Sequence, residues 1–203
     1  LWNDTEIDTG SGTLQISSPT HADVYKLSIL STGQVTWDAD IDSANDMSFA
    51  GPVQFSKVAG TNVSANNLTF NGAVTSEGGL TISAAVSTTF KDAVTTKGDL
   101  TMSGAVNIDG YSVNTGEYRQ IYNDSVMVGG VSTRTTTLTG KDMRFASTLD
   151  GVPYLVVNDS GDTVYVGAIG VSSAPSPCQS MSPSTGDVSR LRDQMVYAGV
   201  SPD

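Results

Sequence analysis

The sequence predicts an all-β fold, a parallel β-solenoid (β-helix) of about twenty residues per coil. Two adjacent stretches carry that expectation. Residues 68–87, LTFNGAVTSEGGLTISAAVS, and residues 88–107, TTFKDAVTTKGDLTMSGAVN, agree at eleven of twenty positions without a gap. Within each, apolar residues alternate with Thr, the two-residue period of a strand. Gly, Asp, Asn and Lys separate the alternating runs, as in SEGG and TKGD, and supply the turns. Composition is the third observation. Aromatics are 7% of the chain, too few for a core of large side chains, and apolar positions are filled by Val, Ala, Leu and Ile. Ser and Thr make up about a quarter of the residues, with 21 Gly, a mixture suited to short strands and tight turns. The same mixture disfavours a helical repeat.

The recurring unit is seven residues, starting at Leu68 (LTFNGAV), Leu80 (LTISAAV), Thr88 (TTFKDAV) and Leu100 (LTMSGAV). The intervals alternate 12 and 8, so one turn of the pattern takes 20. Equivalent positions of a solenoid stack about 4.8 Å apart. Phe70 is then expected on Phe90, Leu80 on Leu100, Val74 on Val94 and Val86 on Val106, with Thr81 and Thr101 forming an outward hydroxyl ladder. The phrase QIYNDSV puts Tyr122 by Met102 and Val126 by Val106. Farther on, Phe145 matches Tyr165, and Leu149 matches Ile169. Upstream, Val35 (VTWDADI) and Met47 (MSFAGPV) are also 12 apart. Steps of 21 from Met47 to Leu68 and 23 from Gln120 to Met143 imply short insertions, read as loops bulging from one edge. About seven coils, a rod of roughly 33 Å, fit between Val35 and Val171.

Residues 31–171 are thus read as the solenoid. Residues 1–30 lack the repeat and are expected to be an irregular cap or docking segment. Residues 172–203 read as a Ser/Pro-rich linker, 172–186, followed by a short helix. There Asp187 is the N-cap, Val188, Leu191 and Met195 keep helical spacing, and Gly199 is the stop. This segment is a second candidate cap or docking arm.

The block NTGEYRQIYNDSVMVGGVSTRTTTLTGKDMRFASTLDGVPYLVVNDSGDTVYVGAIG resembles the filamentous-haemagglutinin and autotransporter-type surface proteins of bacteria. The phrases RQIYNDSV, TTTLTG, RFASTLDG and LVVNDSGDTVYVGAIG carry the likeness, which covers about residues 62–171. Phage tail-fibre shafts use similar Thr/Gly-rich wording. The resemblance implies a right-handed parallel β-helix and surface display or adhesion, and supplies no catalytic residues. The chain is short for that family and has no evident secretion domain.

Charge and motifs narrow the function classes. Net charge is −11, with only 10 Lys and Arg, so the clustered cations of a nucleic-acid surface are missing. No apolar run is long enough to span a bilayer, and no signal peptide or lipidation signal is evident. The opening LWNDTEID, without Met, suggests a mature product or an excised fragment. The one cysteine, Cys178, excludes an intramolecular disulfide and sits in APSPCQSMSPSTG, where it is an inert thiol or an inter-subunit crosslink. The one histidine, His21, has no sequence-placed Ser and Asp around it, and HExxH, GxSxG and phosphate-loop patterns do not occur. Five Asn-x-Ser/Thr sequons occur, at Asn3, Asn62, Asn67, Asn123 and Asn158.

The one acidic cluster is WDADIDSAND. If Val35 to Ile41 is one strand, Trp37, Ala39 and Ile41 face inward and Asp38, Asp40 and Asp42 share the outer face about 7 Å apart. Such a row repels itself unless a Lys or a cation intervenes, and calcium, a hard oxygen-seeking ion, suits it. A solvated acidic face is the alternative. Otherwise no cofactor is expected. The functional expectation is a structural, non-enzymatic subunit of an extracellular or cell-surface filament, self-assembling through coil ends or terminal-segment exchange. Its partner is a second copy of itself, with surface glycans or other cells as further candidates. The alternatives are a shaft segment of an adhesin or phage fibre, and a carbohydrate-active β-helix enzyme.

Overall fold

The computed structural model describes residues 4–22, 25–43, 45–110, 112–129, 135–151 and 155–170. All regular elements among them are strands. The chain winds through three strand positions per coil, here the first, second and third faces. The first coil is β1 (Thr5–Ile7), β2 (Leu14–Ile16) and β3 (Thr20–Ala22), and the second β4 (Leu27–Ile29), β5 (Val35–Trp37) and β6 (Ile41–Ser43). The third coil is β7 (Met47–Phe49), β8 (Val53–Phe55) and the first half of β9 (Thr61–Phe70). The second half of β9 opens the fourth coil, completed by β10 (Val74–Ser76) and the start of β11 (Leu80–Phe90). The end of β11, β12 (Val94–Thr96) and the start of β13 (Leu100–Ile108) make the fifth. The end of β13, β14 (Ser112–Asn114) and β15 (Gln120–Tyr122) make the sixth. Then come β16 (Val126–Val128), β17 (Thr136–Gly140) and β18 (Arg144–Phe145), followed by β19 (Leu149–Gly151), β20 (Leu155–Asp159) and β21 (Val164–Tyr165). Every pairing among them is parallel, and the second face alone is an 8-stranded sheet.

The stacking expected from the repeat is present. Phe70 pairs with Phe90, Leu80 with Leu100, Val74 with Val94, Met102 with Tyr122, Val106 with Val126 and Phe145 with Tyr165. Leu149 bridges Ile169, and Thr81 lies beside Thr101, both half-exposed. Inward residues at all three positions fill one continuous core. Phe49, Phe70 and Phe90 stack ring on ring at 5.1 and 5.3 Å, and Tyr122, Phe145 and Tyr165 do so at 5.0 and 5.1 Å.

Three details differ from the sequence expectation. Val86 does not lie on Val106: Thr88 does, and Val86 is 55% exposed. The cause is a corner of unequal length. β11 spends three residues between Ser83 and Ser87 where β13 spends one, Gly104, between Ser103 and Ala105. Gly104 turns that short corner at φ +88, and a Cβ there would sit 2.1 Å from the Ala84 carbonyl oxygen. The surplus residues on β11 are pushed into solvent. Second, Val35 to Ile41 is not one strand; β5 and β6 meet at a corner formed by residues 38–40. Third, the solenoid starts earlier than its phrase. Residues 5–22, expected to be irregular, form a coil in register with the second: Thr5 pairs with Leu27, Leu14 with Val35 and Thr20 with Ile41. The step of 23 is taken up between β16 and β17, where residues 130–134 lie outside the described set. The expected linker, the helix over 187–199 and Cys178 also lie outside the described residues.

Glycine marks where coils approach most closely. At the corner between the first and second faces, a Cβ on Gly72 would meet the Gly51 carbonyl carbon at 2.5 Å and the Pro52 nitrogen at 2.6 Å. Those atoms are backbone and cannot swing away, so Gly72→Ala should lower unfolding stability by about 1–3 kcal/mol, read as a lower denaturant midpoint. Thr88 presents the opposite case. It occupies the column of Leu68 and Val106, is fully buried, and its Oγ1 has no hydrogen-bond partner among the described residues. Thr88→Val keeps the branched shape and removes the stranded hydroxyl. It should raise the midpoint, by about 1–2 kcal/mol in stability; an unchanged or lower midpoint would show that the hydroxyl is satisfied in solution.

Candidate functional site

The acidic run was the one sequence-level candidate for a site, and the corner disperses it. Trp37, Ala39 and Ile41 do point inward, but Asp38, Asp40 and Asp42 take separate environments. Asp38 is exposed. Asp40 accepts two hydrogen bonds from Lys57 Nζ, at 3.0 and 2.9 Å, and one from the Asn62 backbone amide at 2.9 Å. Asp42 accepts from Ser64 Oγ at 2.5 Å. The intervening cation is thus a lysine of the next coil. No group of three or more His, Cys, Asp or Glu side chains suited to a metal ion occurs among the described residues. His21 stands beside Asp42 in the backbone register of β3 and β6.

Asp40 belongs to a wider pattern. At corner after corner, an aspartate accepts a hydrogen bond from a backbone amide about one coil away. Asp4 accepts from Lys26 at 2.9 Å, Asp46 from Asn67 at 3.2 Å and Asp99 from Arg119 at 3.0 Å. Asp142 accepts from Asp162 at 3.2 Å, and Asp124, reaching back, from Gly104 at 2.7 Å. Corners break the ladder of a parallel sheet and leave amides needing acceptors. A short carboxylate satisfies one with a charge-assisted bond.

The corner between the second and third faces adds charge pairs. Asp40 with Lys57, Glu77 with Lys97 at 2.6 Å, and Asp99 with Arg119 at 3.8 Å follow one another along it. Inside the same corner runs a file of buried polar residues: Ser76, Thr96, Thr115 and Asp159. Thr96 Oγ1 donates to the Gly98 carbonyl at 2.6 Å and Thr115 Oγ1 to that of Tyr118 at 2.7 Å. Gln120 replaces the Leu80–Leu100 column, donates to the Thr139 carbonyl at 2.7 Å and accepts from Tyr122 Oη at 2.9 Å. Burial raises the Tyr122 phenol well above its ordinary pKa, so it stays a neutral donor. These groups shape turns from within the core.

Of the sequons, Asn67 is engaged, donating to Asp46 and accepting from Ser87; Asn123 donates to Ser103 at 3.2 Å. Asn3 lies outside the described residues. What the sequence reading missed is the first coil, where Ile7, Leu14 and Ile16 point at the core yet are half-buried. The alternations TEI, LQI and LSI were its signal.

Comparison with protein-family models, with curated proteins and with solved structures found no match. Fold and surface together define the class: a parallel β-solenoid repeat protein, its coils joined by apolar columns inside and by aspartate and charge ladders at the corners.

The corner carboxylates make stability pH-dependent. The Asn62 amide first, then the Lys57 ammonium, holds Asp40 below the ordinary 3.8. A lowered folded pKa means the stabilisation is complete above 3.8 and is lost as pH falls through the folded value. Asp40→Asn should therefore melt below wild type near neutral pH, with the gap closing as pH drops under 3.8. A gap that persists in acid would assign the loss to packing rather than charge. The effect should be modest, because Asp40 is 43% exposed and Lys57 34%.

Proposed function

We propose that the chain is a structural subunit of an extracellular or cell-surface filament, lengthened by joining the end of one solenoid to the next. The open first coil carries this reading. Ile7, Leu14 and Ile16 are half-buried, whereas their register partners Ile29, Val35 and Trp37 are each 0% exposed. β1 and β2 each stand last in the strand order of their sheets. An uncovered edge with apolar side chains behind it is a template for another strand. Joining that edge to the opposite end of a second copy is a heterologous contact, which propagates instead of closing. Support for surface display comes from the haemagglutinin-like wording of residues 117–170. On this reading the partner is the chain itself, no reaction is catalysed and no cofactor is called for.

The same coil favours a second reading. Its columns run into the first described level at full register, as they would if further coils of a longer adhesin or fibre shaft stood before it.

Ile16→Glu puts a charge on the open end without touching inner coils. Wild-type protein should form concentration-dependent oligomers by sedimentation and rods in electron micrographs, and the variant should stay small. Wild-type monomers at every concentration would reject self-assembly. A native mass far above that of 203 residues would favour the longer shaft.

A further inference from the structure

We propose that residues 187–199 fold back onto the C-terminal end of their own solenoid and close it, leaving the first coil as the open end. The proposal rests on reading the coil ends as the chain's contact surfaces. The third face changes character along the rod. Its outward column begins Asn62, Thr81, Thr101 and ends Arg144, Val164. At the next outward position, Val166 follows Tyr165. Val164 is 38% and Val166 58% exposed, on a face that is hydroxyl-lined farther back. Leu155 and Ile169, which pack on the core, are only partly covered. Side face and end therefore form one apolar rim around the last coil.

The chain leaves that rim directly. The Gly170 amide donates to the Leu149 carbonyl at 2.8 Å, next to the Leu149–Ile169 bridge. The residues that follow include DVSRLRDQMVYAG, whose Val188, Leu191 and Met195 share one side at helical spacing. Sixteen residues separate Gly170 from Asp187, and about 3.3 Å each gives ample reach back to the rim. Charge agrees, since Arg190 and Arg192 flank the apolar residues while exposed Asp162 and half-buried Asp150 border the rim. An own-chain segment needs no second molecule to be present, which makes it the favoured occupant over another copy.

The test uses the full chain carrying Leu191→Asp, with Leu191→Asp/Met195→Asp as the stronger form. Hydrogen exchange is followed at Val164, Val166 and Gly170, whose amides donate to Met143, Phe145 and Leu149. In the variants these amides should exchange about tenfold faster or more at every protein concentration. Amides of β9 and β11 should not change, which shows the solenoid intact. Unchanged exchange at the three amides overturns the proposal. Protection in wild type that vanishes on dilution also overturns it, by placing the segment on a neighbouring copy. Sedimentation of the same samples separates the two ideas. Unchanged exchange with rods present removes the cap and keeps the filament; faster exchange with monomers only keeps the cap and removes the filament.

Discussion

Parallel pairing of each strand with its equivalents one coil before and after is the interaction on which the molecule depends. No coil has a core of its own. The inward residues of one level are covered by those above and below, so a level gains stability only inside a stack. Register is held because a slip of one residue would turn every inward side chain outward. The stack also constrains volume. Where the first face carries Phe49, Phe70 and Phe90, the third carries Val63, Ile82 and Met102. Where the third face turns aromatic at Tyr122, Phe145 and Tyr165, the first shrinks to Ile108, Val128 and Gly151. The cross-section is conserved by exchange between faces, as dense packing requires.

The corners answer to the same constraint. Backbones stacked in register come closest where they turn, and glycine is found there because a Cβ has no room. Turning also interrupts the ladder, and aspartate repairs it by accepting an amide of the adjacent coil. That accounts for a composition of 18 Asp against 3 Glu: a longer side chain would overreach a neighbour one strand away. The acidity of this protein is, to that extent, part of its scaffold. Lys57, Lys97 and Arg119 are placed where they offset it.

Much of this was legible in the sequence because period is a property of the chain itself. Leu80 over Leu100 and Phe70 over Phe90 follow from a spacing of twenty that needs no three-dimensional information. Corners were less legible. Val86 and Val106 align perfectly in an ungapped comparison, yet Gly104 shortens one corner and moves Thr88 into the column. The Asp38–Asp42 run misled for a related reason, since alternation was read through a bend that carries no distinct sequence mark. The first coil escaped because three-residue strands separated by long turns show too little alternation to register as repeat.

A fold made of nearly identical levels puts little that is distinctive on its interior. Every inner coil offers its neighbours the same apolar columns, and its flanks are a lattice of hydroxyls, amides and paired charges already engaged with one another. Specificity must come from where the repetition stops. Ile7, Leu14 and Ile16 at one end and Leu155, Val164, Val166 and Ile169 at the other are the residues whose environment the stack does not complete. They are chemically unlike: the first end is a bare core cross-section, the other an apolar rim from which the chain continues. Two unlike ends give a rod direction, and direction lets identical subunits join in one order. Selection on such a molecule would act on its ends and tolerate much along its sides.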